Sequence, residues 1–257
     1  MECIHMPWSQ LTRITIWDFA HPAQDCLDIL AQCTNALVSA VFTKVIPWAE
    51  PSSIDRIVHL ACLERLRIIF ARDPYNHYIT PFFTALSLPA LSDLSIQARG
   101  IDWSPADFTD FQHRSPNIRE LHISGAVRAT EHVIRILSES PHLVSLSVEG
   151  LYSSINPLLQ VLQFSDSETA VHVAARLERL SLQDFHGTVN ESILSEMILS
   201  RWWTDEELRD LDDHGPPPVR CWKALEIVGA HVQSYTKSFK GMVKLLRTEG
   251  LEVTLSH

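Results

Sequence analysis

Histidine is the residue type here that most readily binds a metal ion or moves a proton, and the chain holds 13 of them. They are spread along the sequence, and no two show the His-Glu-x-x-His spacing that places two ligands on one helix face. His122 alternates with Leu121 and Ile123, so it should point outward from a strand. We therefore expect polar surface histidines and no metal site.

The sequence also lacks the motifs of nucleophilic and phosphate chemistry. It has no Gly-x-Ser-x-Gly turn, and its eight glycines form no Gly-rich phosphate loop. Adjacent carboxylates occur at 205–207 and 212–213, beside the Gly-Pro-Pro-Pro run at 215–218. This composition predicts a solvated acidic, proline-rich insertion at about 203–221, which could bind a basic segment. Neither an enzyme nor a cofactor is expected; a deep pocket gathering histidines and carboxylates would revive the enzyme hypothesis.

The cysteines and the net charge indicate in which compartment the protein works and which class of partner it binds. An odd number of cysteines without a Cys-x-x-Cys pair indicates reduced thiols of the cytoplasm or nucleus. The N-terminus lacks the regions of a signal peptide, and no run of about 18 apolar residues occurs, so no membrane span is expected. A net charge of −10 argues against nucleic acid and favours a protein partner. The cysteines are Cys3, Cys26, Cys33, Cys62 and Cys221.

A recurring aliphatic triplet predicts the elements that must position any site. The pattern Leu-x-x-Leu-x-Leu, with conservative swaps, begins at 11, 63, 91, 118, 143 and 177, with weaker copies at 37 and 222. Successive starts differ by 26, 26, 28, 27, 25, 34 and 45 residues. The first five spacings lie in the range of about 20–29 residues of leucine-rich repeats. The tail, residues 251–255, is predicted to be a last strand.

Each repeat should contain a strand followed by a helix. The last two apolar residues of a triplet share one face of a strand, which we expect to be buried. Helix starts are predicted at Ser104-Pro105, Thr130-Glu131 and Asn156-Pro157. The predicted fold class is an α/β leucine-rich-repeat solenoid (a horseshoe) with parallel inner strands and outer helices, as one domain over residues 1–257. An ordinary doubly wound sheet is the alternative.

Parallel strands in register would align the outward residues into one polar face of mixed charge. Such a face can accept hydrogen bonds and charge pairs from a protein partner, although strand positions facing solvent are often polar anyway. Tryptophans near strand ends could add anchors, with at least one of the last two packing in the core: Trp17, Trp48, Trp103, Trp202 and Trp203. The candidate partner-binding residues are Arg65, Arg67, Asp93, Ser95, Gln97, Glu120, His122, Ser124, Ser145, Ser147, Glu149, Arg179, Ser181 and Gln183.

Three segments carry a resemblance to a known family. FQHRSPNIRELHISG (111–125), LSESPHLVSLSVEG (137–150) and ILSEMILSRWW (193–203) resemble the repeats of fungal F-box-like leucine-rich-repeat proteins. In that family an N-terminal F-box binds the Skp adaptor of a cullin-based ubiquitin ligase, and the repeats present a substrate.

This resemblance concerns the repeat region alone. The first repeat begins by Leu11. This leaves no room for an F-box, which has about 40–50 residues and is smaller than most domains. The Leu-Pro-x-Glu motif that opens an F-box does not occur either. We expect the Skp adaptor as a partner only if an F-box exists upstream. A scaffold protein with no ubiquitin link is the alternative.

Overall fold

The computed structural model describes residues 7–17, 20–49, 56–71, 78–99, 101, 104–125, 127, 129–165, 173–203, 219–229 and 235–256. The chain is an α/β protein that divides into two compact units, residues 1–126 and 127–257. Most of the predicted acidic insertion, residues 204–218, lies outside the described part of the chain.

Unit 1 alternates strands with short helices. A 3-10 turn at Trp8–Gln10 precedes them. Its helices are α1 (Ala23–Gln32), α2 (Thr80–Thr84) and α3 (Pro105–Arg114). Its strands are β1 (Arg13–Ile16), β2 (His21–Pro22), β3 (Ser39–Ile46), β4 (Val58–His59), β5 (Arg65–Phe70), β6 (Leu86–Ser87), β7 (Asp93–Gln97) and β8 (Glu120–Ser124).

The long strands of unit 1 pair in the order in which they occur in the chain. β1, β3, β5, β7 and β8 form a parallel sheet, β2 pairs with β3, and β4 pairs with β6. The predicted triplets fall in register, so that equivalent apolar residues line up in one buried row: Ile14, Ala40, Leu66, Leu94 and Leu121. The predicted burial of these positions is confirmed.

The helices of unit 1 pack against one another and enclose an aromatic cluster. The Phe83 and Phe108 rings meet edge to face, with centroids 5.3 Å apart, and Phe111 lies 5.4 Å from Phe83. The predicted start of α3 is confirmed, because the Ser104 hydroxyl accepts a hydrogen bond from the Asp107 backbone N–H at 3.4 Å.

Unit 2 repeats the same arrangement. Its strands pair in parallel in chain order, and Leu146, Leu180, Leu225 and Val253 form its buried row. The strand predicted for the tail is therefore confirmed. The elements are α4 (Thr130–Ser138), β9 (Ser145–Glu149), α5 (Asn156–Val161), β10 (Arg179–Gln183), α6 (Glu191–Leu199), β11 (Ala224–Val228), α7 (Lys237–Thr248) and β12 (Glu252–Ser256).

One predicted helix cap in unit 2 is wrong. α5 begins at Asn156 itself, and Ile155 occupies the cap position without a side-chain hydrogen bond. The Asn156 amide instead links two turns: it donates to the Thr188 carbonyl at 3.1 Å and accepts from the Asn190 N–H at 2.9 Å. Asn190 is the residue that caps a helix here, accepting from two N–H groups at the start of α6.

A buried arginine joins the end of α6 to the start of β11. Arg201 is 1% exposed, and its guanidinium lies 4.3 Å from the Trp222 ring centroid. Its Nη2 donates to the carbonyls of Leu177 at 2.7 Å and Arg220 at 3.0 Å, and Nε donates to Arg220 at 3.2 Å. Burial lowers the pKa of Arg201 to about 10, although Cys221 opposes this shift.

No helix in the described parts of the chain has both the length and the apolar character needed to cross a membrane.

Candidate functional site

The outward residues of unit 1 form a polar surface, called here the unit 1 strand face. Arg65, Asp93 and Glu120 are register partners across three strands, and Arg67, Ser95 and His122 form the next row. Gln97 follows at the end of β7. All seven side chains are exposed or half-buried, as the alternation along a strand predicts.

Charges of both signs lie side by side on the unit 1 strand face. Burial raises the pKa of the Asp93 carboxyl, and the adjacent Glu120 raises it further. Arg65, Arg67 and His122 act in the opposite direction. A shallow groove of about 380 Å³ runs over this charged row, lined by Glu64, Arg65, Ser92, Asp93, Arg119 and Glu120.

Ser124 does not belong to this surface, so its predicted outward position is wrong. It is 1% exposed although it continues the alternation of β8. β8 ends at Ser124 and the chain turns at Gly125, whose φ is +71°. A Cβ at Gly125 would lie 2.8 Å from the Arg99 backbone, so the neighbouring turn packs closely over this strand end. Packing at such an end overrides the alternation.

The outward residues of β9 to β12 form the unit 2 strand face. Ser145 and Arg179 share one row with Ala224 and Glu252, and Ser147 and Ser181 share the next with Glu226 and Thr254. Glu149 and Gln183 lie in the third row. All six of these residues that were predicted for the surface are exposed or half-buried. Their role in binding stays a prediction.

Glu226 is the residue of this face that sequence reasoning missed. Its Oε2 accepts hydrogen bonds from the Ser181 hydroxyl at 2.6 Å and from Gln183 Nε2 at 2.7 Å. Gln183 Nε2 also donates to the Ser181 hydroxyl at 3.1 Å. Glu226 lies between Leu225 and Ile227 of the weak repeat at 222, so extending the outward positions to that repeat would have identified it.

A groove crosses the unit 2 strand face. It has a volume of about 290 Å³, and serines and Ala224 line it together with charged groups from three strands. The charged residues are Arg179, Glu226 and Glu252. Lys223 pairs with Glu178 at 2.6 Å and is not part of the lining. The groove therefore combines small side chains with charges that are available to a ligand.

The tryptophans predicted as anchors have different environments. Trp17 is 62% exposed after β1, whereas Trp48 is half-buried and bridges to Tyr78 through its backbone. Trp202 and Trp203 are both half-buried, so the expectation that one packs in the core is wrong; among the described residues, the buried tryptophan is Trp222. Trp103 lies outside the described residues.

An exposed aromatic pair in unit 2 was not predicted. Tyr152 is 63% exposed and stacks on the His186 ring, with centroids 5.1 Å apart. The two residues follow β9 and β10 in the chain, so they flank the same strands that carry the groove. The positions of Tyr152 and His186 relative to the triplets do not predict that the two rings stack.

The described residues contain no group of three or more His, Cys, Asp or Glu side chains arranged to hold a metal ion. Cys26 and Cys33 are buried free thiols. Burial raises the pKa of Cys26 to about 12, with a smaller contribution from Asp25, which makes this thiol a poor nucleophile.

No protein-family model matches the chain, and no curated protein matches its sequence.

Proposed function

We propose that this chain is a leucine-rich-repeat protein whose polar strand faces bind another protein. The repeat spacing, the in-register apolar rows and the alternation of strand and helix all support this fold. Within each unit the parallel strands follow chain order, whereas a doubly wound sheet reverses its order at one point. We therefore favour a solenoid with inner strands and outer helices.

The unit 2 groove is the observation that carries the binding proposal. Its lining includes three serines and Ala224 together with one guanidinium and two carboxylates. Neither Arg179 nor Glu252 has a side-chain hydrogen bond or ion pair with the described residues, so both are available to a partner. Groups of this kind provide specificity and steer encounter at protein interfaces.

The partner we propose is the substrate of an F-box-type, cullin-based ubiquitin ligase in the cytoplasm or nucleus. This assignment rests on the resemblance of segments 111–125, 137–150 and 193–203 to fungal F-box-like repeats. A scaffold protein without a ubiquitin link would use the same surface. Recovery of the Skp adaptor with the native protein separates the two, since only the ligase assembly requires it.

Affinity purification from the native cell with mass spectrometry tests the proposal. Arg179→Glu reverses a charge in the groove, and Ser147→Arg places a large side chain in its lining, so each should reduce recovery of the partner at least tenfold. Lys240→Glu makes a comparable charge reversal on an exposed position of α7 and serves as the control. Partners that remain fully bound to both groove variants would refute binding at this face.

A further inference from the structure

Glu226 is held in a fixed position without a counter-ion. Ser181 and Gln183 bond its Oε2, while Oε1 accepts no hydrogen bond from the described residues. Glu226 forms no ion pair with those residues either. Two neutral donors thus orient a carboxylate whose charge is not neutralised. A positioned carboxylate of this kind is a strong acceptor for a cationic donor.

The groove beside Glu226 has room for one long side chain. Its volume of about 290 Å³ lies at the lower limit of small-molecule pockets, which begin near 300 Å³. Ser147 and Ser181 occupy the same row as Glu226 on the two preceding strands, so the space above them leads to its carboxylate. Neighbouring strands lie about 4.8 Å apart, so the row from Ser147 to Glu226 is about 10 Å long.

We propose that the groove binds a single lysine or arginine side chain of an extended segment of the partner. Its aliphatic stem lies over Ser147 and Ser181, and its cationic group reaches Oε1 of Glu226. This inference rests on the proposed protein-binding function and states the chemistry that the partner must present.

The other charges of the groove determine how many basic residues it accepts. Glu252 adds a second negative charge, and Arg179 lies one row from Ser181 on β10. Positions two residues apart on a strand are about 6.7 Å apart. With one guanidinium and two carboxylates the groove carries a net charge of −1, which one cation neutralises, and a second cation would lie near Arg179, where like charges repel. A lone basic residue therefore binds better than a polybasic run, unlike the general attraction of an acidic protein for polycations.

A phage-displayed library of random octapeptides, selected on the immobilised full chain at physiological salt, tests the inference. Selected peptides should contain one lysine or arginine more often than the unselected library. A synthetic copy of the best peptide should lose at least tenfold in affinity when its basic residue is replaced by norleucine. Glu226→Gln should lower the affinity for the original peptide to the same extent, and Ser181→Ala should lower it less.

Glu131→Gln provides the matched control, because it removes the same charge from an exposed position of α4 in the same unit, outside the strand face. It should change affinity less than twofold. Octalysine serves as the polycation probe: tighter binding of octalysine than of the selected peptide, unchanged in Glu226→Gln, would overturn the inference. Circular dichroism of each variant excludes loss of the fold.

The remaining outcomes separate this inference from the proposed function. Suppose the selected peptides contain no basic residue but fail to bind the Ser147→Arg variant. This result would overturn the cation site and leave protein binding at this face intact. Failure to select any peptide also overturns the inference, whereas the proposed function is judged by the whole-protein purification described above.

Discussion

Replacement of Arg201 by methionine is predicted to destabilise unit 2. Methionine has a similar length and no donors, so the variant leaves the carbonyls of Leu177 and Arg220 without the guanidinium. The opposite expectation is also reasonable, because exchanging a buried charge for an apolar residue is often neutral or stabilising. The magnitudes of the competing effects decide the sign.

Loss of the donors outweighs relief of the buried charge. Leaving the buried Leu177 carbonyl unsatisfied costs about 2 kcal/mol, and losing the charge-assisted hydrogen bond to the part-buried Arg220 carbonyl costs about 2 kcal/mol. The contact with Trp222 contributes about 1 kcal/mol. Against this, the fall of the Arg201 pKa from 12.5 to about 10 corresponds to a burial cost of about 3 kcal/mol that methionine does not incur. The net expectation for Arg201→Met is a loss of about 2 kcal/mol in the free energy of unfolding.

Urea denaturation followed by far-UV circular dichroism measures this change, and hydrogen exchange of residues 219–229 locates it. Arg201→Lys should be worse than Arg201→Met, because it keeps a buried charge but cannot reproduce the fork of donors. Arg179→Met is the control at an exposed site and should change stability by less than about 0.5 kcal/mol. A variant Arg201→Met as stable as the wild type would refute the reasoning.

Three further predictions concern the core, a carboxyl group and the thiols. Leu180→Ala, at a position 1% exposed in the buried row of β10, should lower the free energy of unfolding by about 2–5 kcal/mol in urea, and a change below 1 kcal/mol would contradict continuous packing there. The pKa of Asp93 is raised above 3.8 in the folded protein, so the folded state holds this proton more tightly than the unfolded chain does. The stability that Asp93 contributes is therefore fully present below pH 3.8 and is lost as pH rises through the folded pKa. Asp93→Asn should therefore gain stability relative to the wild type from pH 3.5 to pH 7 in a urea series, and a constant difference would disprove the shift. Iodoacetamide should alkylate exposed Cys62 in the native protein but not buried Cys26, as mass spectrometry would show; equal labelling would contradict this burial.

The sequence predicts the long strands well because their cause is periodic. A triplet that is buried in one repeat is buried in its neighbours, so even the weak copies at 37 and 222 mark β3 and β11. The short strands β4 and β6 carry no such signal, since two residues cannot establish an alternation. Whether the units form a solenoid over the whole chain stays a prediction.

Side-chain positions that depend on distant partners could not be predicted. Asn156 precedes a proline and is a residue type common at helix N-caps, yet its side-chain amide forms hydrogen bonds with residues more than 30 positions away. Arg201 looks like an ordinary charged residue at a helix end, and only the fold surrounds it with carbonyl groups. The Glu226 network likewise joins residues 43 and 45 positions apart. Local pattern does not report on contacts at such separations.

The bonds around Arg201 also bring two distant points of the chain to the same place. Trp222 N–H donates to the Arg201 carbonyl at 3.4 Å, and the Arg201 side chain bonds the carbonyl of Arg220. Residues 201 and 222 are therefore held together although 21 positions separate them in the sequence, and the entropic cost of closing a loop between two such points grows only slowly with its length. We therefore expect exchange of residues 204–218 for a purification tag or a fluorescent reporter to leave α6 and β11 intact, which makes this segment a practical place to label the protein.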